Sequence, residues 1–103
     1  MYEEINQDNF DEKTKQGNVV IDCYAEWCGP CQIMAPAFEK VSKEFKDINF
    51  FMVNVDNNRE IASIYAIRSI PTTLFLKDGK EVDRHIGLLY EDELKEKIKQ
   101  AFK

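Results

Sequence analysis

The chain has 103 residues, 44% hydrophobic and 32% charged, which fits one globular domain over residues 1–103 that buries a core without metal or disulfide staples. A net charge of −5 and a pI near 4.9 make a surface that repels phosphate, so nucleic acid and anionic membranes are excluded as expected partners. No apolar run approaches the roughly 18 residues of a membrane span, and Met1-Tyr2-Glu3-Glu4-Ile5-Asn6 has neither the basic nor the apolar part of a secretory signal.

Along the chain, Tyr2 to Asn6 reads as a short edge strand. Asp8 to Gln16 reads as a helix with Asn6 as its N-cap and Gly17 as its stop. Val19 to Tyr24 alternates too little for a half-exposed strand, so it is expected at the centre of a sheet, covered on both faces. From Pro30 to about Phe45, the residues Met34, Phe38, Val41 and Phe45 form one apolar helix face. Pro36 interrupts that helix and is expected to kink it. Phe50 to Val55 is a second buried strand and Glu60 to Tyr65 a short helix. Thr72 to Lys77 and Glu81 to Ile86 flank Asp78-Gly79-Lys80, a strong hairpin signal. Glu91 to Phe102 closes the chain as a helix, with acids first and lysines last. The order β-α-β-α-β-α-β-β-α predicts an α/β fold: a mixed five-stranded central sheet flanked by four helices. Functional sites on such sheets lie beyond the carboxyl ends of strands.

Trp27-Cys28-Gly29-Pro30-Cys31 follows such a strand end and opens a helix. At a helix N-terminus, free N–H groups and the macrodipole stabilise a thiolate, the form that attacks disulfides. Cys31, three residues on, faces the same side and is placed to resolve a mixed disulfide. Gly29 permits close approach of another chain, Pro30 suits the first helical turn, and Trp27 offers a flat apolar surface beside the sulfurs. The competing reading is half of a zinc site, for which only Cys23 and His85 remain as further nitrogen or sulfur donors. No metal is expected. Three cysteines, an odd number, fit poorly with a secreted disulfide framework and place the expectation in a cytoplasmic, reducing compartment.

The segment Asp22-Cys23-Tyr24-Ala25-Glu26-Trp27-Cys28-Gly29-Pro30-Cys31 resembles the active-site segment of the thioredoxins. The likeness extends to Pro36, Ile70-Pro71-Thr72, Asp78-Gly79 and Gly87, so it covers essentially the whole chain. The resemblance implies the thioredoxin fold, a redox-active Cys28–Cys31 disulfide, Cys28 as attacking thiol and Cys31 as buried resolving thiol. It implies that Asp22 lies beneath the pair and moves the Cys31 proton. It also implies a cis bond before Pro71, which faces the disulfide, with Trp27, Ile70, Pro71 and Gly87 meeting the substrate. The implied function is a general protein disulfide reductase with no bound cofactor. Its implied partners are disulfide-containing proteins and a thioredoxin reductase drawing on NADPH, and its expected state is a monomer.

An apolar-strand carboxylate such as Asp22 is costly to bury and needs a partner or a task. Met52 stands where many thioredoxins carry a lysine near this acid, so desolvation is expected to raise the Asp22 pKa. Tyr24 replaces a frequent tryptophan, and its phenol needs a partner. Ala66 and Ser69 stand at frequent glycine positions, which is expected to stiffen the approach to Pro71. Cys23 is expected to be a small buried hydrophobe, His85 a solvated strand residue, and Lys95-Glu96-Lys97 a solvated helix face. Three rivals to the reductase reading are an oxidase or isomerase of the same fold, a binding module without turnover, and the zinc site. Gly29-Pro30, where oxidising relatives usually carry a histidine, speaks against the first of these.

Overall fold

The computed structural model describes residues 1–103. Its elements are β1 (Tyr2–Glu4), α1 (Phe10–Thr14), β2 (Asn18–Tyr24), α2 (Gly29–Glu44), β3 (Ile48–Asn54), α3 (Arg59–Ile64), β4 (Thr72–Lys77), β5 (Lys80–Ile86) and α4 (Glu91–Ala101). This is the expected element order. The strands lie in the order β1-β3-β2-β4-β5. β1 and β2 pair with β3 in parallel, while β2–β4 and β4–β5 are antiparallel.

The central position of β2 explains why it is apolar on both faces. Alternate residues feed two separate cores. Val20 joins Met34, Phe38, Phe50, Met52, Phe75 and Leu94 on the face covered by α2 and α4. Val19, Ile21 and Cys23 join Phe10, Phe51, Ile61 and Leu74 on the face covered by α1 and α3. Phe38 and Phe75 are completely buried, each stabilising the fold by roughly 1.5–3 kcal/mol relative to an exposed ring. The expected apolar face of α2 is therefore its packing face. α2 continues through Pro36 to Glu44 without a break, although proline supplies no N–H to the carbonyl of Gln32 one turn back.

One helix is much shorter than the sequence pattern suggests. The expected Asp8–Gln16 helix contracts to Phe10–Thr14, and its N-cap is Asn9 rather than Asn6. The Asn6 Oδ1 accepts the N–H groups of Asp8 at 2.8 Å and Asn9 at 3.1 Å, while Asn9 Oδ1 accepts the Asn6 N–H at 2.9 Å. This reciprocal pair makes a separate turn in place of the helix's first turn. Gly17 does end the segment, with φ +81°. In the hairpin, Asp78 and Gly79 have φ +50° and +82° and Lys77 pairs with Lys80. That is the two-residue turn that Asp-Gly favours. Ala66 has φ +52°, the left-handed conformation that glycine adopts without a Cβ clash.

Candidate active site

β2 delivers the chain to the carboxyl end of the sheet, where Ala25 turns it back: the Cys28 N–H donates to the Ala25 carbonyl at 3.3 Å. Cys28 is the N-cap of α2, with extended backbone, and its Sγ accepts the Cys31 N–H at 3.2 Å. The sulfur thus takes the place that a serine or aspartate oxygen holds in an ordinary cap. Pro30 lies in the first turn, where its missing N–H leaves no bond unmade. Cys28 and Cys31 are joined as a disulfide, with Cα atoms 5.2 Å apart. Each is only 3% exposed. Exposure therefore does not distinguish the two residues; the cap does.

The cover over Cys28 comes from far along the chain. Its Sγ lies 3.8 Å from the Ile70 carbonyl oxygen, and the Ile70–Pro71 peptide bond is cis. The Gly87 N–H donates to the Pro71 carbonyl at 2.8 Å, with Gly87 at φ +108°. Pro71, Ile70 and Gly87 are therefore brought together beside the sulfurs. Trp27 is 73% exposed, and its indole Nε1 donates to Asp56 Oδ2 at 2.7 Å. Between Trp27 and Ile70 runs a groove of about 350 Å³, also lined by Val55, Ile67, Arg59 and Arg68. At Gly29 a Cβ would meet nothing within 4 Å. The space above position 29 is open, and no contact within the chain demands glycine there.

Asp22 is the only acidic or basic residue among the buried ones, at 0% exposure. Its strand alternation puts it on the α2 face with Val20, and neither carboxyl oxygen has a hydrogen-bond partner. Burial, with a smaller contribution from the Glu4 charge, pushes its pKa up from 3.8 to about 7. Met52 is its cross-strand partner on β3 and Glu4 is the partner of Met52 on β1. Met52 is buried, so this row lacks a cation as expected. Met52 and Cys31 line one cleft of about 310 Å³, together with Tyr24, Ala25, Glu26, Gln32 and Ala35. The Tyr24 hydroxyl finds its partner in Glu4 Oε1 at 2.8 Å. The Glu4 carboxyl is itself pushed up, first by its own desolvation.

The thioredoxin family model matches residues 1–100. The chain belongs to the thioredoxin family. It is 53% identical to a thioredoxin of Mycoplasmoides gallisepticum over 81 residues, 79% of this chain and 81% of that one. It is 40% identical to a thioredoxin of Chlamydia caviae over 100 residues, 97% and 98% of the two chains. The crystal structure of the Malassezia sympodialis thioredoxin Mala s 13 superimposes with a TM-score of 0.87 at 35% identity, covering 98% of this chain and 90% of that one. Thioredoxins are dithiol–disulfide oxidoreductases, and this thioredoxin carries the joined Cys28–Cys31 pair that such chemistry uses.

The remaining donors of the zinc alternative do not converge in this thioredoxin. Cys23 is a free thiol packed into the opposite core, and no group of three or more His, Cys, Asp and Glu side chains is placed to hold a metal. No helix is long and apolar enough to cross a membrane. Sequence reasoning missed three residues at the site: Glu4, Asp56 and Thr73. Glu4 and Thr73 reach the Asp22 row only through cross-strand register, and Asp56 reaches Trp27 across 29 positions. Only Thr73 left a local trace, as a hydroxyl next to the apolar run Leu74-Phe75-Leu76.

Proposed function

We propose that this chain is a general protein disulfide reductase in which Cys28 attacks, Cys31 resolves and Asp22 takes up the proton of Cys31. The carrying observation is the Cys28 Sγ held at the N-cap of α2, accepting the Cys31 N–H at 3.2 Å. An anion at that place gains a charge-assisted hydrogen bond and the favourable end of the helix dipole. Cys31, one turn in, has no such cap.

In the reduced protein the Cys28 thiolate attacks one sulfur of a substrate disulfide. That S–S bond breaks, a Cys28–substrate bond forms, and the other substrate sulfur leaves as a thiolate that takes a proton from water. Cys31 then gives its thiol proton to the Asp22 carboxylate. Its thiolate attacks Cys28 Sγ, the Cys28–substrate bond breaks, and the second substrate sulfur leaves as a thiolate that takes up a proton, while Asp22 releases the one it accepted. The Cys28–Cys31 disulfide seen here is the product of that step. An acid poised at about 7 suits a base of this kind, because it is ionised often enough to accept and protonated easily enough to take.

Trp27, Ile70, Pro71 and Gly87 form the substrate face, with an extended segment lying along the groove between Trp27 and Ile70. Gly29 keeps the approach open. The two electrons are restored by a thioredoxin reductase drawing on NADPH, and no cofactor is bound by this chain. The protein works as a single-domain monomer over residues 1–103 in the cytoplasm, on protein disulfides, with no nucleic acid or membrane partner. Its acidic surface supports that choice of partners.

The test uses Trp27, the only tryptophan. Its emission changes when dithiothreitol reduces the pair, and catalytic reduction of insulin accompanies the change. Cys31→Ser accumulates a covalent mixed disulfide through Cys28, seen as an added mass that a thiol removes. Absence of both insulin turnover and the trapped adduct refutes the reading.

A further inference from the structure

Only three buried side-chain oxygens or nitrogens lack a hydrogen-bond partner, and they belong to two residues: Asp22, through Oδ1 and Oδ2, and Thr73, through Oγ1. Both residues are 0% exposed. They are also direct cross-strand partners in the antiparallel β2–β4 pairing, next to the partner pair Val20 and Phe75. Directly opposite residues leave the sheet on the same face with Cβ atoms about 4.5–5.5 Å apart. A carboxyl on one and a hydroxyl on the other span that gap after a rotation about the threonine Cα–Cβ bond. An unpaired buried hydroxyl is destabilising, whereas valine has the same shape without that penalty. A threonine here, between the sheet and α2, therefore calls for a polar partner, and Asp22 is the one its register supplies.

We propose that Thr73 is a positioning residue for Asp22, its hydroxyl holding the Asp22 carboxyl while that carboxyl takes and returns the Cys31 proton. This rests on the proton-carrier reading given above. A hydroxyl serves both states of the acid: it accepts from the protonated carboxyl and donates to the ionised one. The Cys31 S–H bond breaks and an Asp22 O–H bond forms, and Thr73 keeps its own proton throughout.

No other group around Asp22 supplies that donor. Met52 and Glu4 share its row on β3 and β1, the first apolar and the second acidic. Tyr24, on its own strand, gives its hydroxyl to Glu4, and Glu26 in the following loop is acidic. From α2 come the two sulfurs of the disulfide. On β5, His85 lies across Thr73 from Asp22, and on α4 the Lys97 ammonium is bound to Asp83 at 2.7 Å over the Phe75 ring. None of them bonds to Asp22.

The experiment compares Thr73→Val and Thr73→Ser in the whole protein, with melting curves to confirm the fold. The Asp22 carboxyl is titrated by carbon NMR in the disulfide form, and mixed-disulfide resolution is followed against pH. Loss of a donor to the ionised form raises the acid's midpoint. In Thr73→Val the midpoint rises by about half a unit to one unit, and the pH profile of resolution moves to higher pH by the same amount. Resolution at pH 7 then falls roughly 2–5-fold and recovers at pH 9, and Thr73→Ser restores both readings. A valine midpoint equal to or below the wild type overturns the proposal, as does a serine variant that behaves like valine. Asp22→Asn separates the two layers. If it keeps the wild-type pH profile, the proton-carrier reading itself fails, whatever Thr73 does to the NMR midpoint.

Discussion

Cys23 and Cys28 lie five residues apart and are almost equally hidden, at 0% and 3% exposure, yet their surroundings differ. Cys23 sits mid-strand among Ile21, Val53 and Leu74, where every backbone donor nearby is spent on the sheet. Burial pushes its thiol strongly up, and the Asp22 charge adds to that. It stays protonated at any physiological pH. Cys28 sits where a helix begins, and an unspent N–H points at its sulfur. The supply of donors, more than access to water, separates the two positions.

The largest effect that could break this contrast is on turnover. Cys28→Ser is expected to lower insulin reduction by at least a thousand-fold, because a serine alkoxide is not available at neutral pH. Cys23→Ala is expected to leave the rate within about two-fold, since its thiol takes no part in the exchange. A Cys23→Ala protein as inactive as Cys28→Ser would dissolve the distinction.

The next effect concerns stability, and it brings in Asp22, the neighbour of Cys23 on the other face. The Asp22 pKa is about 7 in the fold against 3.8 for an ordinary aspartate. The folded state therefore holds a proton that the unfolded chain gives up. Stability from this group is complete below about pH 4 and is lost as pH rises through about 7. Asp22→Asn is expected to stabilise the protein by on the order of 2–4 kcal/mol at pH 8, with the gain vanishing near pH 4. Denaturant melts across that range measure it, and a gain that does not depend on pH contradicts the assignment.

The smallest effect sharpens the comparison by adding a cation where the core lacks one. Met52→Lys puts a cation on the row between Glu4 and Asp22 and should lower the Asp22 midpoint by about one unit. An unchanged or higher midpoint in the NMR titration rules out desolvation without a cation as the cause.

Much of this was legible in the chain itself, and the exceptions share a reason. Periodicity, apolar runs, cap residues and the Asp-Gly turn together gave the order of all nine elements, since helix faces and central strands write their burial into consecutive residues. Strand ends moved by one or two positions: β3 begins at Ile48, paired with Asn18 two residues before the expected Phe50, whereas β1 stops at Glu4, two short of the expected Asn6. The first helix lost length to a reciprocal Asn6–Asn9 turn that competes with it. Asp22 stood out as a carboxylate inside an apolar strand. The burial of Cys28 did not, because its cover arrives from Ile70, 42 positions away. Likewise no local pattern carries the register that sets Glu4, Met52, Asp22 and Thr73 in one row.

The Trp27–Asp56 bond has a consequence for how a partner is received. An indole that is 73% open to water would ordinarily sample several rotamers, and a partner closing over it would have to freeze them. Here the ring is moored by its nitrogen at 2.7 Å before anything arrives. Part of the ordering is done in advance, so a chain that closed over this flat apolar face would lose mainly its own entropy.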